Sequence, residues 1–440
     1  MTSSGKPRVV VLGGGSSGEH FVGALRRLDP EAEITLVERR LVGGECSYWA
    51  CIPTKTMLRA TELVAEAGRS SGAVTGATLD PQRVFAWRDQ VAERNDASQV
   101  EWLQSKNTKL IRGDAIAVEP GVLSVDDEAL QYDRLVIATG SSPAIPPIEG
   151  IESVDYWTNH EATETLEVPP RLVVLGGGPV GCELSQFFQR IGSRVTLVEG
   201  GERLLARVDA DAATLVADAL REDGVDVRLN ARAVRVTGDS LFLEDGTELP
   251  FDRLLVATGR TANVDALDAL ELTISKRGIE VDERLRAAPD VWAIGDVTGI
   301  AQFTHVGKYQ GRVAAYDIAG RNARADYRAI PATIFTDPQV ATVGNTEGGL
   351  SSTWDIQSVS RLSTYERPKR QGFIKVVADP ERRVIKGAVA VGPESGEWLQ
   401  QLTLAIRAET PIEVLLDVIP PYPTFSEGVF WALRELNLDL

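Results

Sequence analysis

Cysteine, histidine and methionine are scarce in this chain of 440 residues, which contains three, three and two of them, respectively. Three cysteines are too few for the disulfide framework of a small secreted protein. A close pair of cysteines in a reducing compartment is therefore expected to be catalytic or metal-binding rather than structural. No metal site is predicted.

Long apolar runs and an excess of positive charge are also missing. No apolar run approaches the roughly 20 residues that span a bilayer, and the segment MTSSGKPRVVVLGGG lacks the features of a signal peptide. We expect a cytoplasmic protein that does not bind membranes. The net charge of −17 argues against nucleic acid as a partner, because a basic surface is needed to displace its counterions.

One pattern occurs twice in a chain that is long enough for about two to four domains. Arg8–Glu38 reads RVVVLGGGSSGEHFVGALRRLDPEAEITLVE, and Arg171–Glu199 reads RLVVLGGGPVGCELSQFFQRIGSRVTLVE. Each repeat combines an apolar strand, a G-x-G-x-x-G turn, a helical stretch and a second strand that ends in glutamate. The glycines of the two turns are Gly13, Gly15 and Gly18, and Gly176, Gly178 and Gly181.

This arrangement is the βαβ fingerprint of dinucleotide binding. Glycine permits a tight turn and close approach of a pyrophosphate, and the helix N-terminus offers N–H groups to that anion. The terminal acids, Glu38 and Glu199, are positioned to accept hydrogen bonds from ribose hydroxyls. One such turn alone would also fit an ordinary α/β scaffold, but two complete copies favour two nucleotide sites.

A second repeat supports two copies of a nucleotide-binding domain. Tyr132–Gly140 reads YDRLVIATG, and Phe251–Gly259 reads FDRLLVATG. Thr158–Pro170 fits the approach to the second copy, and Arg321–Tyr327 fits a linker to a C-terminal domain. In that domain we predict strands at Gly372–Ala378 and Val384–Val391 and a helix at Gly396–Ala408.

Cys46 and Cys51 are the close cysteine pair. In a regular α-helix their Cα atoms would lie roughly 8.6 Å apart, whereas a disulfide needs less than about 7 Å. A bridge here therefore requires a distorted helix start, with which the neighbouring Gly43, Gly44 and Pro53 are compatible. Two buried structural cysteines remain the alternative.

The surrounding residues resemble a known family. Gly43–Lys55, GGECSYWACIPTK, is similar to the active-site motif of the class I pyridine nucleotide-disulfide oxidoreductases, such as lipoamide dehydrogenase, glutathione reductase and mercuric reductase. Trp292–Asp296, WAIGD, resembles the family's second FAD motif. The resemblance covers essentially the whole chain.

The resemblance implies an α/β fold with two Rossmann-like domains, for FAD and NAD(P), and an α+β C-terminal dimerisation domain. We expect the first part of the FAD domain at 1–147, the NAD(P) domain at 148–263, a central segment at 264–325 and the dimerisation domain at 326–440. The implied assembly is a homodimer whose active site is shared across the interface.

The resemblance also assigns roles to the cysteines and to one ion pair. Cys51 would be the thiol nearest the flavin, and Cys46 would be the exchange thiol. Lys55 and Glu183 would pair beside the reactive edge of the flavin, where a positive charge stabilises the reduced cofactor. The alternatives are a solvated lysine and a surface helix position for the glutamate.

Several further positions are predicted to bind the cofactors. Glu38 would bind the adenosine ribose of FAD and Asp296 its ribityl chain, although Asp296 could instead be a structural cap. The passage of Arg112–Ala115 near the adenine is a looser expectation. His305 follows the FAD motif, and a packing or capping role is expected for it rather than direct catalysis. The remaining predicted cofactor-binding positions are Ser17, Arg39, Gly44, Ala115, Thr139, Gly140, Thr304, Val180 and Gly259.

Glu199 bears on the choice of nicotinamide cofactor. An acid at the end of this strand favours a free 2′-hydroxyl and hence NADH, whereas a 2′-phosphate usually needs arginine. Arg203 is near enough in sequence to keep NADPH as an alternative.

The C-terminal segment Pro420–Gly428, PPYPTFSEG, departs from the family pattern. Tyr422 stands where most disulfide-reducing members carry a catalytic histidine, and Glu427 keeps its place. A phenol with a pKa of about 10 is a poor base near neutral pH, so lipoamide or glutathione reduction by the usual route is in doubt. Tyrosine at this place resembles mercuric reductase, but no cysteine follows Cys182, which we expect to be a packed helix residue.

The sequence therefore predicts an NAD(P)H-dependent flavoenzyme with an unidentified small-molecule acceptor: a quinone, a metal ion, a small disulfide or oxygen. Two alternatives stay open. One is a tailoring enzyme for a particular metabolite, and the other is a flavin redox sensor without turnover.

Overall fold

The computed structural model of the protein describes residues 6–366 and 371–438. The chain forms two compact units, and each consists of three stretches of sequence. The first unit comprises the chain up to Pro53, Asp89–Ala144 and Arg260–Asp326, and the second comprises Thr54–Arg88, Ile145–Gly259 and the chain from Tyr327. Within the described ranges, no helix is both long and apolar enough to cross a membrane.

A six-stranded sheet forms the centre of the first unit. Five of its strands run parallel, and a short antiparallel strand closes one edge. In spatial order the strands are Arg286–Ala288, Val291–Ala293, Arg134–Ile137, Arg8–Leu12, Glu33–Glu38 and Thr108–Arg112. The strands are rich in buried valine, leucine and isoleucine, as expected for a parallel sheet that is covered on both faces.

Smaller sheets and helices complete the first unit. An antiparallel sheet consists of Ala115–Glu119, Val122–Val125 and Glu128–Gln131, and two-stranded ribbons pair Ser141–Pro143 with Arg260–Ala262 and Ile274–Ser275 with Gly278–Ile279. The α-helices are Ser16–Leu28, Gly44–Tyr48, Ala97–Ser105 and Thr304–Ile318, with 3-10 turns at Asp268–Leu270 and Gly295–Thr298. The helices Cys51–Gly68 and Pro81–Ala92 contain residues of both units.

The second unit begins with another parallel sheet. Its strands, in spatial order, are Asp226–Arg228, Arg194–Val198, Arg171–Leu175 and Arg253–Val256. An antiparallel sheet of Ala233–Thr237, Ser240–Leu243 and Glu248–Pro250 follows it. The helices here are Asn159–Glu164, Pro179–Arg190 and Ala210–Glu222, with a 3-10 turn at Ile151–Ser153.

The C-terminal part of the second unit is built on an antiparallel sheet. Its strands, in spatial order, are Pro331–Ile334, Gln339–Gly344, Val384–Gly392, Phe373–Asp379 and Leu350–Asp355. Its α-helices are Ser360–Tyr365, Ser395–Trp398, Gln400–Ala408, Ile412–Leu416 and Ser426–Arg434, and Ile356–Ser358 is a 3-10 turn. The α/β class, with two dinucleotide-binding folds and an α+β C-terminal part, is thereby confirmed.

Two local expectations need adjustment. Thr158–Pro170 is more than an approach segment, because Asn159–Glu164 is a helix whose N-terminus is capped reciprocally by Thr158 and Glu161. The predicted helix Gly396–Ala408 is instead two short helices that meet at Leu399.

Each of the two nucleotide-binding folds has an ion pair at the start of its first strand. Asp133 accepts hydrogen bonds from the backbone N–H of Arg8, at 2.7 Å, and from its guanidinium, at 2.9 and 3.0 Å. Asp252 accepts the equivalent bonds from Arg171, at 2.9 to 3.0 Å. These bonds give a structural role to the aspartate of the repeated Tyr-Asp-Arg and Phe-Asp-Arg sequences.

This pairing should make stability depend on pH. Hydrogen bonds from Arg8 lower the pKa of Asp133 to about 2, below the roughly 3.9 of an unfolded chain. The stabilisation is therefore present above about pH 4 and is lost as the pH falls towards 2. Because both side chains are partly exposed, Asp133→Asn should lower the melting temperature by only about 1–3 °C at pH 7, and the difference should shrink by pH 3.

Thermal unfolding followed by circular dichroism at both pH values checks this expectation. Asp265→Asn, at an exposed position of the same unit, is the control. A deficit in Asp133→Asn that is the same at pH 3 and pH 7 would contradict the assignment.

Candidate active site

Cys46 and Cys51 form a disulfide, and the helix is interrupted between them. The helix Gly44–Tyr48 ends before Trp49, and a new helix begins at Cys51. This break brings the two Cα atoms to 4.6 Å. Gly43, with a φ of 114°, turns the chain into the first helix, and the Tyr48 hydroxyl donates to Val42 O at 2.7 Å. The predicted distortion of the helix start is confirmed.

Cys51 lies at the N-terminal ends of two helices. Its Sγ is 3.4 Å from Thr304 Oγ1, and Thr304 is the first residue of the helix Thr304–Ile318. Cys51 is itself the first residue of its own helix. The positive ends of both helix dipoles would stabilise a thiolate at Cys51 more than a thiol. His305, the next residue, stacks on Phe303 with ring centroids 5.3 Å apart, a contact that agrees with the expected packing role.

The second unit brings Lys55 and Glu183 together. Lys55 Nζ donates to Glu183 Oε2 at 2.8 Å. The Glu183 side chain is 5% exposed, and that of Lys55 is 34% exposed. The other carboxylate oxygen of Glu183, Oε1, accepts a hydrogen bond from the Phe335 backbone N–H at 2.9 Å. A surface position for Glu183 is therefore wrong, and Lys55 and Glu183 form the ion pair that the resemblance implies.

The first glycine turn has a close contact at one glycine and open space at another. A Cβ at Gly18 would come within 2.1 Å of Gly13 O, so the strand and helix touch through their backbones there. At Gly15 the nearest atom to an added Cβ would be Gly44 Cα at 3.9 Å. Packing within the chain does not require glycine at this position, which caps the helix Ser16–Leu28.

Glu38 is held at the end of its strand by two backbone N–H groups. Its Oε2 accepts from Gly14 N and its Oε1 from Arg40 N, both at 2.7 Å. Arg39 is largely exposed and lies 3.8 Å from Asp114. Arg112 donates to Arg40 O and to Asp96, which fixes the loop before Ala115, the first residue of the next strand.

The second glycine turn repeats this geometry. A Cβ at Gly181 would approach Gly176 O to 1.9 Å, whereas a Cβ at Gly178 would meet nothing within 4 Å. Glu199 accepts from Gly177 N and Gly201 N, both at 2.7 Å. Val180 is 40% exposed in the first turn of the helix.

Cys182, in the same helix, is fully buried, and its Sγ lies 3.5 Å from Gly177 O. Burial raises the pKa of this thiol. The prediction that it is a packed helix residue is confirmed.

Asp296 belongs to a polar cluster in the first unit. Its Oδ2 accepts from Ser141 Oγ at 2.7 Å, which is its only side-chain hydrogen bond within the described residues. Burial raises the pKa of this carboxyl group. Arg260 donates to Ser141 Oγ at 2.7 Å and lies 3.5 Å from Glu45, the neighbour of Cys46. A half-buried carboxylate with spare acceptor capacity fits a ligand that donates hydroxyl hydrogens.

Other predicted cofactor positions take part in the backbone framework. Thr139 Oγ1 donates to Asn263 O at 2.8 Å, and Asn263 Nδ2 donates to Thr139 O at 2.9 Å. Gly140 and Gly259 have positive φ angles, and no atom lies within 4 Å of an added Cβ. Ser17 is packed so closely that a Cβ at Gly307 would come within 2.1 Å of its Oγ. A Cβ at Gly44 would come within 2.8 Å of Gly15 Cα.

Tyr422 and Glu427 are not brought into hydrogen-bonding contact in the described part of the chain. Tyr422 is 72% exposed. Glu427 Oε1 accepts from Trp431 Nε1 at 3.4 Å, and its buried Oε2 has no hydrogen-bond donor among the described residues. The described residues of one chain thus leave an acceptor atom of Glu427 unsatisfied.

The two glycine turns fit bound dinucleotides. Gly15 and Gly178 leave open space directly before a helix N-terminus, where a side chain would block a pyrophosphate. FAD at the first turn and a nicotinamide dinucleotide at the second would be held there and at the strand-end glutamates.

Sequence reasoning missed several residues that organise these groups. Ser141, Arg260 and Asn263 hold Asp296 and the Thr139 turn, and Phe335 contacts both members of the Lys55–Glu183 pair. Arg260 and Asn263 directly follow the second Ala-Thr-Gly turn, so their position beside a motif was an available signal. Phe335 had no such signal, because its contact depends on tertiary structure.

Comparison with known proteins agrees with this geometry. The sequence profile described as pyridine nucleotide-disulphide oxidoreductase matches residues 7–311, and the dimerisation domain of the same family matches residues 330–433. A mercuric reductase from Shigella flexneri is 34% identical over 473 residues, covering 100% of this chain and 82% of that protein. A dihydrolipoyl dehydrogenase from Thermus scotoductus is 33% identical over 457 residues, covering 98% of this chain and 97% of that protein.

A solved structure is also similar. The Cu(II) complex of the HOCl-induced flavoprotein disulfide reductase RclA from Escherichia coli has a TM-score of 0.85 at 26% identity, covering 97% of this chain and 99% of that one. These relatives are oxidoreductases, and their family implies FAD and NAD(P)H as cofactors and supports a homodimer. The chain belongs to the pyridine nucleotide-disulphide oxidoreductase family.

Proposed function

We propose that this protein is an NADH-dependent, FAD-containing reductase that delivers electrons through Cys46 and Cys51 to a thiophilic metal ion. The observation that carries the proposal is the bridged cysteine pair, with Cys51 beside two helix N-termini. Quinones, small disulfides and oxygen are the competing acceptors.

The cofactors would be held by the two fingerprints. FAD held there would supply the two-electron chemistry that links NADH to the disulfide. Glu38 and Asp296 are the proposed ribose and ribityl partners of FAD, and Gly15 admits its pyrophosphate. The other proposed FAD positions are Gly13, Ser17, Gly18, Arg39, Gly44, Ala115, Thr139, Gly140 and Thr304.

NADH would bind at the second fingerprint, with Gly176, Gly178, Val180, Gly181 and Gly259 around it. Glu199 is fixed at its strand end by Gly177 and Gly201. Arg203 donates to the carbonyl oxygens of Ala206 and Val208, both at 2.7 Å, and is therefore engaged within its own loop. These contacts support a site for a free ribose 2′-hydroxyl rather than a 2′-phosphate.

The residues around the disulfide would each have a separate role in its reduction. Two electrons break the S–S bond, and one proton converts Cys46 to a thiol while Cys51 remains a thiolate. The helix N-termini at Cys51 and Thr304 stabilise that negative charge. Lys55, fixed by Glu183, is proposed to present its positive charge to the flavin.

The acceptor is inferred from Tyr422 and Glu427. Dithiol exchange needs a group that takes and returns a proton near neutral pH, and an exposed phenol is poorly suited to that task. A thiophilic metal ion needs only two sulfur ligands and electrons. The relatives described as mercuric reductases, and the copper complex of a relative, support this class of acceptor.

The proposal also covers the oligomeric state and the domain organisation. We propose a homodimer in which a second copy approaches the segment of Tyr422 and Glu427, because Glu427 Oε2 is buried without a donor in the described residues of one chain. The division at 1–147, 148–263, 264–325 and 326–440 is retained as the proposed domain organisation.

Substitution of the cysteines tests the proposed electron path. In Cys46→Ser and Cys51→Ser, NADH-dependent reduction of Hg(II) or Cu(II) should fall on the order of 100-fold, because neither variant can form the disulfide. Reduction of a quinone should persist.

Anaerobic titration of the wild type with NADH should give a broad long-wavelength band from a thiolate beside the flavin, and Cys51→Ser should lack it.

Cys182→Ala is the matched control, since this cysteine is buried elsewhere. Undiminished metal-ion reduction by Cys46→Ser would refute the path. Turnover of lipoamide or glutathione disulfide as fast as any metal ion or quinone would refute the acceptor class.

The second fingerprint can be tested without turnover. Gly178→Ala should fold normally, because nothing lies near the new methyl group and the backbone φ is −77°. The methyl group would stand in the way of the pyrophosphate and should weaken NADH binding about tenfold or more. Fluorescence titration of the FAD-loaded protein with NADH measures this effect.

Gly15→Ala is the matched variant for the first fingerprint and should lose FAD instead. Gly181→Ala, which clashes with Gly176 O, should lower the melting temperature. Normal NADH affinity in a folded Gly178→Ala would show that this turn does not hold the dinucleotide.

A further inference from the structure

Phe335 contacts both members of the Lys55–Glu183 pair in the second unit. It follows the strand Pro331–Ile334, and its backbone N–H donates to Glu183 Oε1 at 2.9 Å. Lys55 Nζ lies over its ring, 4.9 Å from the centroid. The ammonium group is therefore held by the Glu183 carboxylate and also attracted by the face of an aromatic ring.

The segment around Phe335 is fastened to the helix that carries Glu183. Asp337 N donates to Gln186 Oε1 at 2.7 Å, and Gln186 Nε2 donates to Asp337 O at 3.0 Å. Asp337 Oδ2 accepts from Arg190, one turn further along the helix, at 3.0 Å. Glu183, Gln186 and Arg190 lie on one face of this helix, and all three bind the segment of Phe335–Asp337.

A second helix fastens the same segment. Arg69, near the C-terminal end of the helix Cys51–Gly68, donates to Asp337 Oδ2 at 3.0 Å and to Glu366 at 2.6 Å. Lys55 lies in the first turns of that helix. Because Gln186 and Asp337 are almost completely buried, the position of Phe335 is set by surroundings that do not depend on Lys55.

The contact with Phe335 bears on the mobility of the Lys55 side chain. This side chain has four rotatable bonds and is one-third exposed, and an ion pair of such a group contributes little order by itself. The ring of Phe335 is 37% exposed, but its backbone is fixed, and its face lies against the ammonium group on a second side. Glu183 alone would leave the lysine head free to rotate about one contact.

We propose that Phe335 is a positioning residue that fixes the ammonium group of Lys55 against Glu183. The inference rests on the proposed function, in which the charge of Lys55 favours the reduced form of bound FAD. Phe335 then raises the midpoint potential of that FAD through Lys55, without contacting the reacting atoms.

The test is a double-mutant cycle on the FAD-loaded protein, with the flavin midpoint potential measured by equilibration with a reference dye. Phe335→Leu removes the ring but keeps the backbone N–H. It should reduce the equilibrium constant for FAD reduction about two- to fivefold, and Lys55→Met should reduce it more. In the Lys55→Met background, Phe335→Leu should have no further effect.

Two matched variants complete the experiment. Phe335→Tyr retains the ring face and should restore the wild-type potential. Phe242→Leu removes an aromatic ring from another cation–π pair of the same unit, with Arg235 at 3.8 Å, and should leave the potential unchanged.

The outcomes separate the inference from the proposed function. If Lys55→Met lowers the potential and Phe335→Leu does not, or if Phe335→Leu acts equally with and without Lys55, the role of Phe335 is disproved. If Lys55→Met itself has no effect, the proposed placement of Lys55 at the flavin fails, and the inference fails with it.

Discussion

The contact on which both nucleotide sites depend is a backbone contact between two glycines. In each fingerprint the third glycine lies against the carbonyl oxygen of the first, so closely that a Cβ would come within 2.1 Å in one copy and 1.9 Å in the other. This contact sets the distance between strand and helix and directs the helix N-terminus at the space beside the middle glycine. The glutamate at the end of the second strand then binds the turn through its backbone, in the same way in both copies. A larger residue at either contact would move the helix and the anion site together.

Much of this framework was predictable, because it is encoded in local patterns. The glycine turns, the strand-end acids and the bridged cysteines all lie within short segments whose spacing reflects backbone geometry. The distorted helix start at Cys46 followed from the distance that a disulfide permits. The Lys55–Glu183 pair was found only through family resemblance, since 128 residues separate its members.

Other features could not be predicted, because they depend on segments that the sequence does not place together. Phe335 is an ordinary aromatic residue at a strand end until Gln186 and Asp337 fix its backbone beside Glu183. Ser141 and Arg260 belong to two short strands whose antiparallel pairing has no strong sequence signal. Arg203 shows the same limit in another way. Its closeness in sequence to Glu199 left a phosphate contact open, and only the structure shows its guanidinium engaged with carbonyl oxygens of its own loop.

The C-terminal segment bears on the chemistry in a way that the nucleotide-binding framework does not. Family membership supplies a flavin, a nicotinamide and a disulfide, but a dithiol product must also exchange protons with its surroundings. Here the position expected to do so carries Tyr422, whose side chain is mostly exposed, while an oxygen of Glu427 is buried without a donor in the described residues. A carboxylate oxygen in that state is costly unless another group reaches it, and the proposed homodimer offers a second copy of the chain as the source of that group. In the proposed function, Tyr422 would weaken proton exchange without affecting electron transfer, so acceptors that take electrons without returning protons to sulfur would fit this site best.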